Sequence, residues 1–142
     1  MGKIKTAPVG IVAVKDVVGT SKLLSALFGW KSMHGGREFE ILMDAKNVPM
    51  LMLHEFSAHE HRRFAGIRKQ ARGVGQSTYV FSTAIALLYE KVRRRKLKVI
   101  EPLFRNENSE AREFTFQIPD GYQFTVCDAD SWVYYWVGRR RR

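Results

Sequence analysis

Cysteine occurs once in the 142 residues, as Cys127. A single thiol closes no internal disulfide, which suits a reducing compartment and makes the cytoplasm the expected location. Long apolar runs are missing as well. No window holds the roughly eighteen consecutive apolar residues of a membrane span, so no membrane partner is expected. The opening residues, Met1-Gly2-Lys3-Ile4-Lys5, lack the apolar stretch and small-residue cleavage site of a secretory leader. A phosphate-cradling glycine loop is also lacking. Gly73-Val74-Gly75 precedes a strand pattern, whereas such a loop opens a helix.

What is present suits a folded chain. A hydrophobic content of 45% and an aromatic content of 12% exceed what a disordered segment carries, and the length fits one domain with a buried core. The formal charge of +10 is unevenly placed. Lys91, Arg93, Arg94, Arg95, Lys96 and Lys98 form one basic run, and Arg139 to Arg142 form a second. Without these ten, the remaining 14 basic residues equal the 14 acidic ones. The runs read either as a solvated helix end with a charged tail or as patches for a polyanion.

Along the chain, Pro8 to Val14 is β-branched and apolar, a strand pattern. Thr20 or Ser21 offers a helix N-cap, Leu24, Leu27 and Phe28 follow at helical spacing, and Gly29 fits a C-cap. A short strand around Trp30 to Met33, a His34-Gly35-Gly36 turn, and strands over Glu38 to Met43 and Met50 to Glu55 complete one unit. The segment 57–75 is polar, basic and glycine-bearing, a connection with a helical turn near Arg62 to Lys69.

The pattern then restarts. Gln76 to Ser82 is a strand, and Ile85, Leu88, Tyr89 and Val92 make a helical stripe. Lys98 to Phe104, Ala111 to Gln117 and Gln123 to Cys127 supply three more strands, with a tight turn at Ile118-Pro119-Asp120-Gly121. The expected architecture is therefore α+β. One domain, 1–142, holds two βαβββ modules in tandem, about 8–56 and 76–128, followed by a tail over 129–142. Such a duplication implies pseudo-twofold packing, with curved mixed sheets around a central cavity. The tail segment Trp132-Val-Tyr-Tyr-Trp136 docks on the core, covers a groove or joins a subunit interface.

Two stretches carry a family resemblance. Val12-Ala-Val-Lys-Asp16 runs into a helix ending Leu27-Phe28-Gly29-Trp30, and 111–126 holds a strand, the Pro119-Asp120-Gly121-Tyr122 turn and a final strand. Together they resemble the vicinal oxygen chelate superfamily, the glyoxalase, bleomycin-resistance and extradiol dioxygenase group, over residues 9 to 127. Ile118 stands where that family's turn begins with Asp. The resemblance implies a divalent metal held by His or Glu from four strands, because a catalytic metal needs convergent donors and one open place. The matching positions here are Val9, Met52, Ser77 and Thr125. Valine offers no lone pair, a thioether is too soft for Zn, Ni, Fe or Mn, and hydroxyls are weak ligands. A member lacking the metal is expected, with no cofactor.

Other candidates are few. His54 lies two residues beyond Met52 and so points to the same side of its strand. His59 and His61, with Glu55 and Glu60, make a ligand-rich stretch that no cysteine pair reinforces. Glu113 is a candidate general base if it points inward, and Cys127 reads as a structural thiol. The resemblance implies a homodimer that binds a small organic molecule against apolar and aromatic walls. The expected walls are Trp30, Met52, Tyr79, Phe114, Phe116 and Tyr122, with His54, Ser77, Glu113 and Thr125 as polar anchors. The basic chain favours a neutral or anionic ligand. Two alternatives stand beside this: a glyoxalase- or dioxygenase-type metalloenzyme with a non-standard ligand set, and an accessory protein binding nucleic acid through the basic runs.

Overall fold

A computed structural model of the chain describes residues 8–56, 64, 66–108 and 110–129. The chain divides into two compact units, Met1–Gln70 and Ala71–Arg142. The division falls inside the expected connection.

In the first unit the order is β1 (Gly10–Val14), α1 (Val17–Phe28), β2 (Lys31–Ser32), β3 (Phe39–Met43) and β4 (Pro49–Glu55). The strands form one sheet in the order β1-β4-β3-β2. β1 runs parallel to β4, and the other pairs are antiparallel. The parallel pair needs a crossover, which α1 begins. Val12 and Val14 of β1, Leu42 of β3 and Leu51 and Leu53 of β4 are buried, as are Val17, Leu24 and Leu27 of α1. Burying each such side chain contributes about 1.5 to 3 kcal/mol.

The start of α1 differs from expectation. Asp16, not Thr20 or Ser21, is the N-cap, and its Oδ1 accepts from the Gly19 N–H at 2.9 Å. Thr20 and Ser21 lie one turn inside the helix and are buried. Gly19 keeps the cap in place, since a Cβ there would lie 2.3 Å from Asp16 Oδ2. A short side chain with two acceptors reaches the orphan N–H groups better than a hydroxyl already facing the core. Gly29 ends the helix with φ 71°, as its position predicts.

Glu40 is the feature of this unit that the residue pattern does not announce. It is 2% exposed, on the side of β3 that carries Leu42. Its Oε1 accepts from the N–H groups of Met33 (3.2 Å), His34 (2.8 Å) and Ile41 (2.9 Å). Its Oε2 accepts from the Ser32 hydroxyl and the Gly35 N–H. One carboxylate thereby ties β2 and the turn after it to β3.

The second unit repeats the plan with β5 (Ser77–Ser82), α2 (Ile85–Arg94), β6 (Lys98–Arg105), β7 (Arg112–Gln117) and β8 (Gln123–Asp128). Its sheet order is β5-β8-β7-β6, again with one parallel pair, β5 with β8. Ile85, Leu88 and Val92 form the buried stripe of α2, and Tyr89 lays its ring 5.0 Å from that of Phe114. Pro119-Asp120-Gly121 turns as its composition predicts. The Gly121 N–H donates to the Ile118 carbonyl at 2.9 Å with Gly121 at φ 97°. Before this unit, a 3-10 helix over Ile67–Lys69 stands where a helical turn was expected.

The two βαβββ modules in tandem, each with a four-stranded mixed sheet, are the α+β architecture read from the sequence. No described helix is long and apolar enough to cross a membrane.

Candidate functional site

Register decides which side chains share a face. In the second unit the Tyr89 contact puts Phe114 on the helix side. Strand alternation then puts Phe116, Phe124 and Val126 there too, all at most 1% exposed. The opposite face carries Ser77 and Tyr79 from β5, Thr125 and Cys127 from β8, and Glu113 and Thr115 from β7. Glu101 and Phe104 of β6 pair with Thr115 and Glu113 and extend this face to the sheet edge.

That face is polar at its centre. Thr125 Oγ1 lies 2.7 Å from Ser77 Oγ and 2.9 Å from Thr115 Oγ1, a ladder of three hydroxyls across three strands. Glu113 is 9% exposed, and its Oε1 accepts from Asn106 Nδ2 at 3.3 Å. Tyr79 is 53% exposed. Its phenol pKa is raised, first by desolvation and then by the charges of Glu113, Cys127 and Glu101. Tyr79 therefore stays protonated and presents an O–H donor at the rim. Cys127 is buried, in register with Glu113, consistent with a structural thiol.

The first unit offers a contrasting surface. Ile11, Met52 and Ile41 lie in one cross-strand row, and Ala13, His54 and Phe39 in the next. Val9, two residues before Ile11, precedes β1. His54 is buried, with its ring 6.3 Å from Phe39 and 5.5 Å from Phe64. Its Nδ1 lies 2.7 Å from the Glu55 carbonyl, which only accepts, so Nδ1 carries the proton. Apart from His54, these two rows are apolar.

Thus Met52 and His54 come together on one sheet, and Ser77, Tyr79, Glu113 and Thr125 on the other. Four expected wall residues stand elsewhere. Phe114 and Phe116 face α2 in the core, because the alternation of β7 sends them opposite to Glu113. Trp30 follows α1 and packs its ring 4.8 Å from Phe28. Tyr122 lies in the turn before β8, where its carbonyl accepts from the Ile118 N–H at 3.0 Å. His59, Glu60, His61, the 132–136 aromatic segment and the arginines 139–142 lie outside the described residues.

The structure adds a concavity that the sequence reading missed. Leu103, Phe104, Arg105, Glu110, Arg112 and Asp128 line an open concavity of about 460 Å³ at the far ends of β6 to β8. Arg112 Nε donates to Asp128 Oδ2 at 3.3 Å. The lining holds two arginines and two carboxylates, of which Arg112 and Asp128 are paired. Its residues come from three segments that only the β6–β7–β8 register assembles.

Among the described residues no three His, Cys, Asp or Glu side chains converge to hold a metal ion. Two of the positions implied for ligands, Ser77 and Thr125, instead share a hydrogen bond.

These two modules have the vicinal oxygen chelate fold, the architecture of the glyoxalase and bleomycin-resistance proteins. Among solved structures, the chain is similar to a glyoxalase/bleomycin resistance protein/dioxygenase family enzyme from Burkholderia phytofirmans. The TM-score is 0.69 at 14% identity, over 83% of this chain and 94% of that one. It is also similar to the fosfomycin resistance protein FosX of Listeria monocytogenes, with a TM-score of 0.64 at 15% identity, covering 89% and 94%. A protein of unknown function from Agrobacterium tumefaciens matches at 0.67 and 22% identity, covering 90% and 95%. No protein-family model and no curated protein matches the sequence.

Proposed function

We propose that this protein is a metal-free member of the fold that binds a small organic molecule on the helix-free face of its second sheet. The observation that carries the reading is the hydroxyl ladder. Ser77 and Thr125 occupy two positions where the resemblance implies metal ligands, and they satisfy one another and Thr115. Neutral hydroxyls give a divalent cation neither charge nor strong donation. They do suit the hydroxyl, carbonyl or amide groups of an organic ligand, with the Tyr79 O–H and the Glu113 carboxylate beside them.

Of the neutral and anionic ligands expected from net charge, the neutral one suits this face. Glu101 and Glu113 are on it, whereas six of the surplus cations lie between Lys91 and Lys98, on α2, the turn after it and the start of β6. Fold alone does not separate binding from catalysis, since the similar structures include a resistance protein and an enzyme. A glyoxalase- or dioxygenase-type metalloenzyme is the alternative, and metal content discriminates.

Protein purified without chelator is expected to carry no stoichiometric metal by elemental analysis. Added Zn, Ni, Mn or Fe is expected to leave its melting temperature unchanged. About one bound metal per chain would overturn the reading, because binding to a folded site raises stability by mass action. With a negative result, thermal-shift screening of neutral organic compounds identifies the ligand class.

A cytoplasmic homodimer completes the proposal. Light scattering on the full chain is expected to give twice the mass of one chain; a monomer at micromolar concentration removes that part.

A further inference from the structure

We propose that the C-terminal end of α2 and the start of β6 form a surface that binds the phosphodiester backbone of a nucleic acid. From Ile85 to Ile100 the chain carries Lys91, Arg93, Arg94, Arg95, Lys96 and Lys98 against one acid, Glu90. Arg93 is the member already engaged. It lies 3.6 Å from Glu90 and stacks its guanidinium 5.7 Å from the Tyr89 ring centroid. Arg94, Arg95, Lys96 and Lys98 are exposed, and no ion pair is recorded for them among the described residues.

The fold accounts for part of this charge. Cations in the last turn of α2 interact favourably with the helix dipole, which covers Lys91, Arg93 and Arg94. The remaining three follow the helix. Arg95 is the C-cap residue, Lys98 opens β6, and Lys96 adopts φ 55°. That left-handed position is the one where glycine is least strained, yet a lysine fills it. Packing like charges this closely costs energy unless counterions condense around them, and a polyanion replaces those counterions with a gain in entropy.

A membrane surface fits less well. An in-plane helix needs an exposed apolar face, but Ile85, Leu88 and Val92 are buried in this unit. Leu87, 55% exposed, is the large apolar residue left on the outside of α2. Arginine and lysine side chains are the groups that meet phosphate oxygens, and no Asn or Gln that would read adenine occurs between Ile85 and Ile100. The arginines 139–142 add four cations to the same chain.

The test is fluorescence anisotropy of the full chain with a duplex DNA of about 20 base pairs and with single-stranded RNA of similar length, across about 50 to 200 mM salt. The logarithm of the binding constant is expected to fall linearly with the logarithm of salt. On duplex DNA the slope is about −0.9 per phosphate engaged. The triple variant Arg94→Gln, Arg95→Gln, Lys96→Gln should make that slope shallower by about 2.7. It should keep its melting temperature, because all three side chains are exposed. A control removing equal charge elsewhere, Lys22→Gln, Lys31→Gln, Lys46→Gln, should leave the slope unchanged. Binding of either polymer with these slopes supports the proposal, and the preferred polymer identifies the source of the phosphodiester. No binding at low salt, equal loss in both variants, or tighter capture by anionic lipid vesicles than by either polymer overturns it.

Discussion

Glu40→Gln is expected to cost about 1.5 to 3 kcal/mol of folding stability, the range for losing hydrogen bonds to a charged group. The substitution preserves shape, so the loss reports hydrogen bonding. Both carboxylate oxygens of Glu40 act as acceptors, with four backbone N–H groups and the Ser32 hydroxyl directed at them. An amide offers one acceptor oxygen and turns an NH₂ toward the remaining donors. The donors that lose their acceptor lie in the exposed segment Ser32 to Gly35, where water replaces part of the bonding, and the charge that strengthened the whole set is gone. Urea unfolding of both proteins measures the difference. A loss below about 1 kcal/mol would mean that the segment from Ser32 to Gly35 rearranges freely and that Glu40 does not hold it.

The same carboxylate sets a pH dependence. Burial alone would raise the Glu40 pKa, but the bonds from Ser32, His34, Ile41 and Gly35 outweigh it and hold the group below its ordinary value. A folded-state pKa below the unfolded one contributes stability that is fully present above the unfolded value, about 4.3 for Glu. That stability is lost as pH falls through the folded value. Wild-type melting temperature should therefore drop on acidification below about pH 4.3, and the Gln variant should drop less over the same window.

Much of the fold was legible because its punctuation is local chemistry. Gly29 ends α1, Pro119-Asp120-Gly121 makes the last turn, and Ile85, Leu88 and Val92 mark the buried stripe of α2. Each is decided within a few residues. The helix start was misplaced because Thr20 and Ser21 are also good capping residues, and only the geometry of Asp16 against Gly19 separates them. Glu40 did leave a trace, as the single acid in the otherwise apolar Phe39-Glu40-Ile41-Leu42-Met43 just after a Gly-Gly turn.

The site was less legible, because a side chain's face depends on register, and register depends on partners far along the chain. His54 beside Met52 follows from spacing within one strand. Phe116 beside Glu113 does not, since the two differ by an odd number of residues and so oppose each other. β6 is harder still. Its pairing with β7 shifts register between Val99 and Glu101 and again between Glu101 and Phe104. Alternation counted along that strand therefore puts side chains on the wrong side. The hydroxyl ladder joins residues 48 apart and 10 apart in sequence, and no local pattern connects them.

The face assignment makes its strongest claim at Phe116. Its ring lies 6.0 Å from Phe114 and 5.7 Å from Phe124, and none of its surface is exposed. Phe116→Ala is therefore expected to destabilise the protein by about 3 to 5 kcal/mol through lost burial and the cavity left between two rings that cannot close on it. Tyr79, another aromatic candidate of this sheet, makes the contrast. It is 53% exposed on the opposite face, so Tyr79→Ala should change stability by less than about 1 kcal/mol while weakening the bound ligand. Chemical denaturation separates the two variants before any ligand is known. If Phe116→Ala folded with nearly full stability and Tyr79→Ala collapsed, the faces would be reversed. The ladder of Ser77, Thr125 and Thr115 would then belong to the core and no longer mark a binding surface.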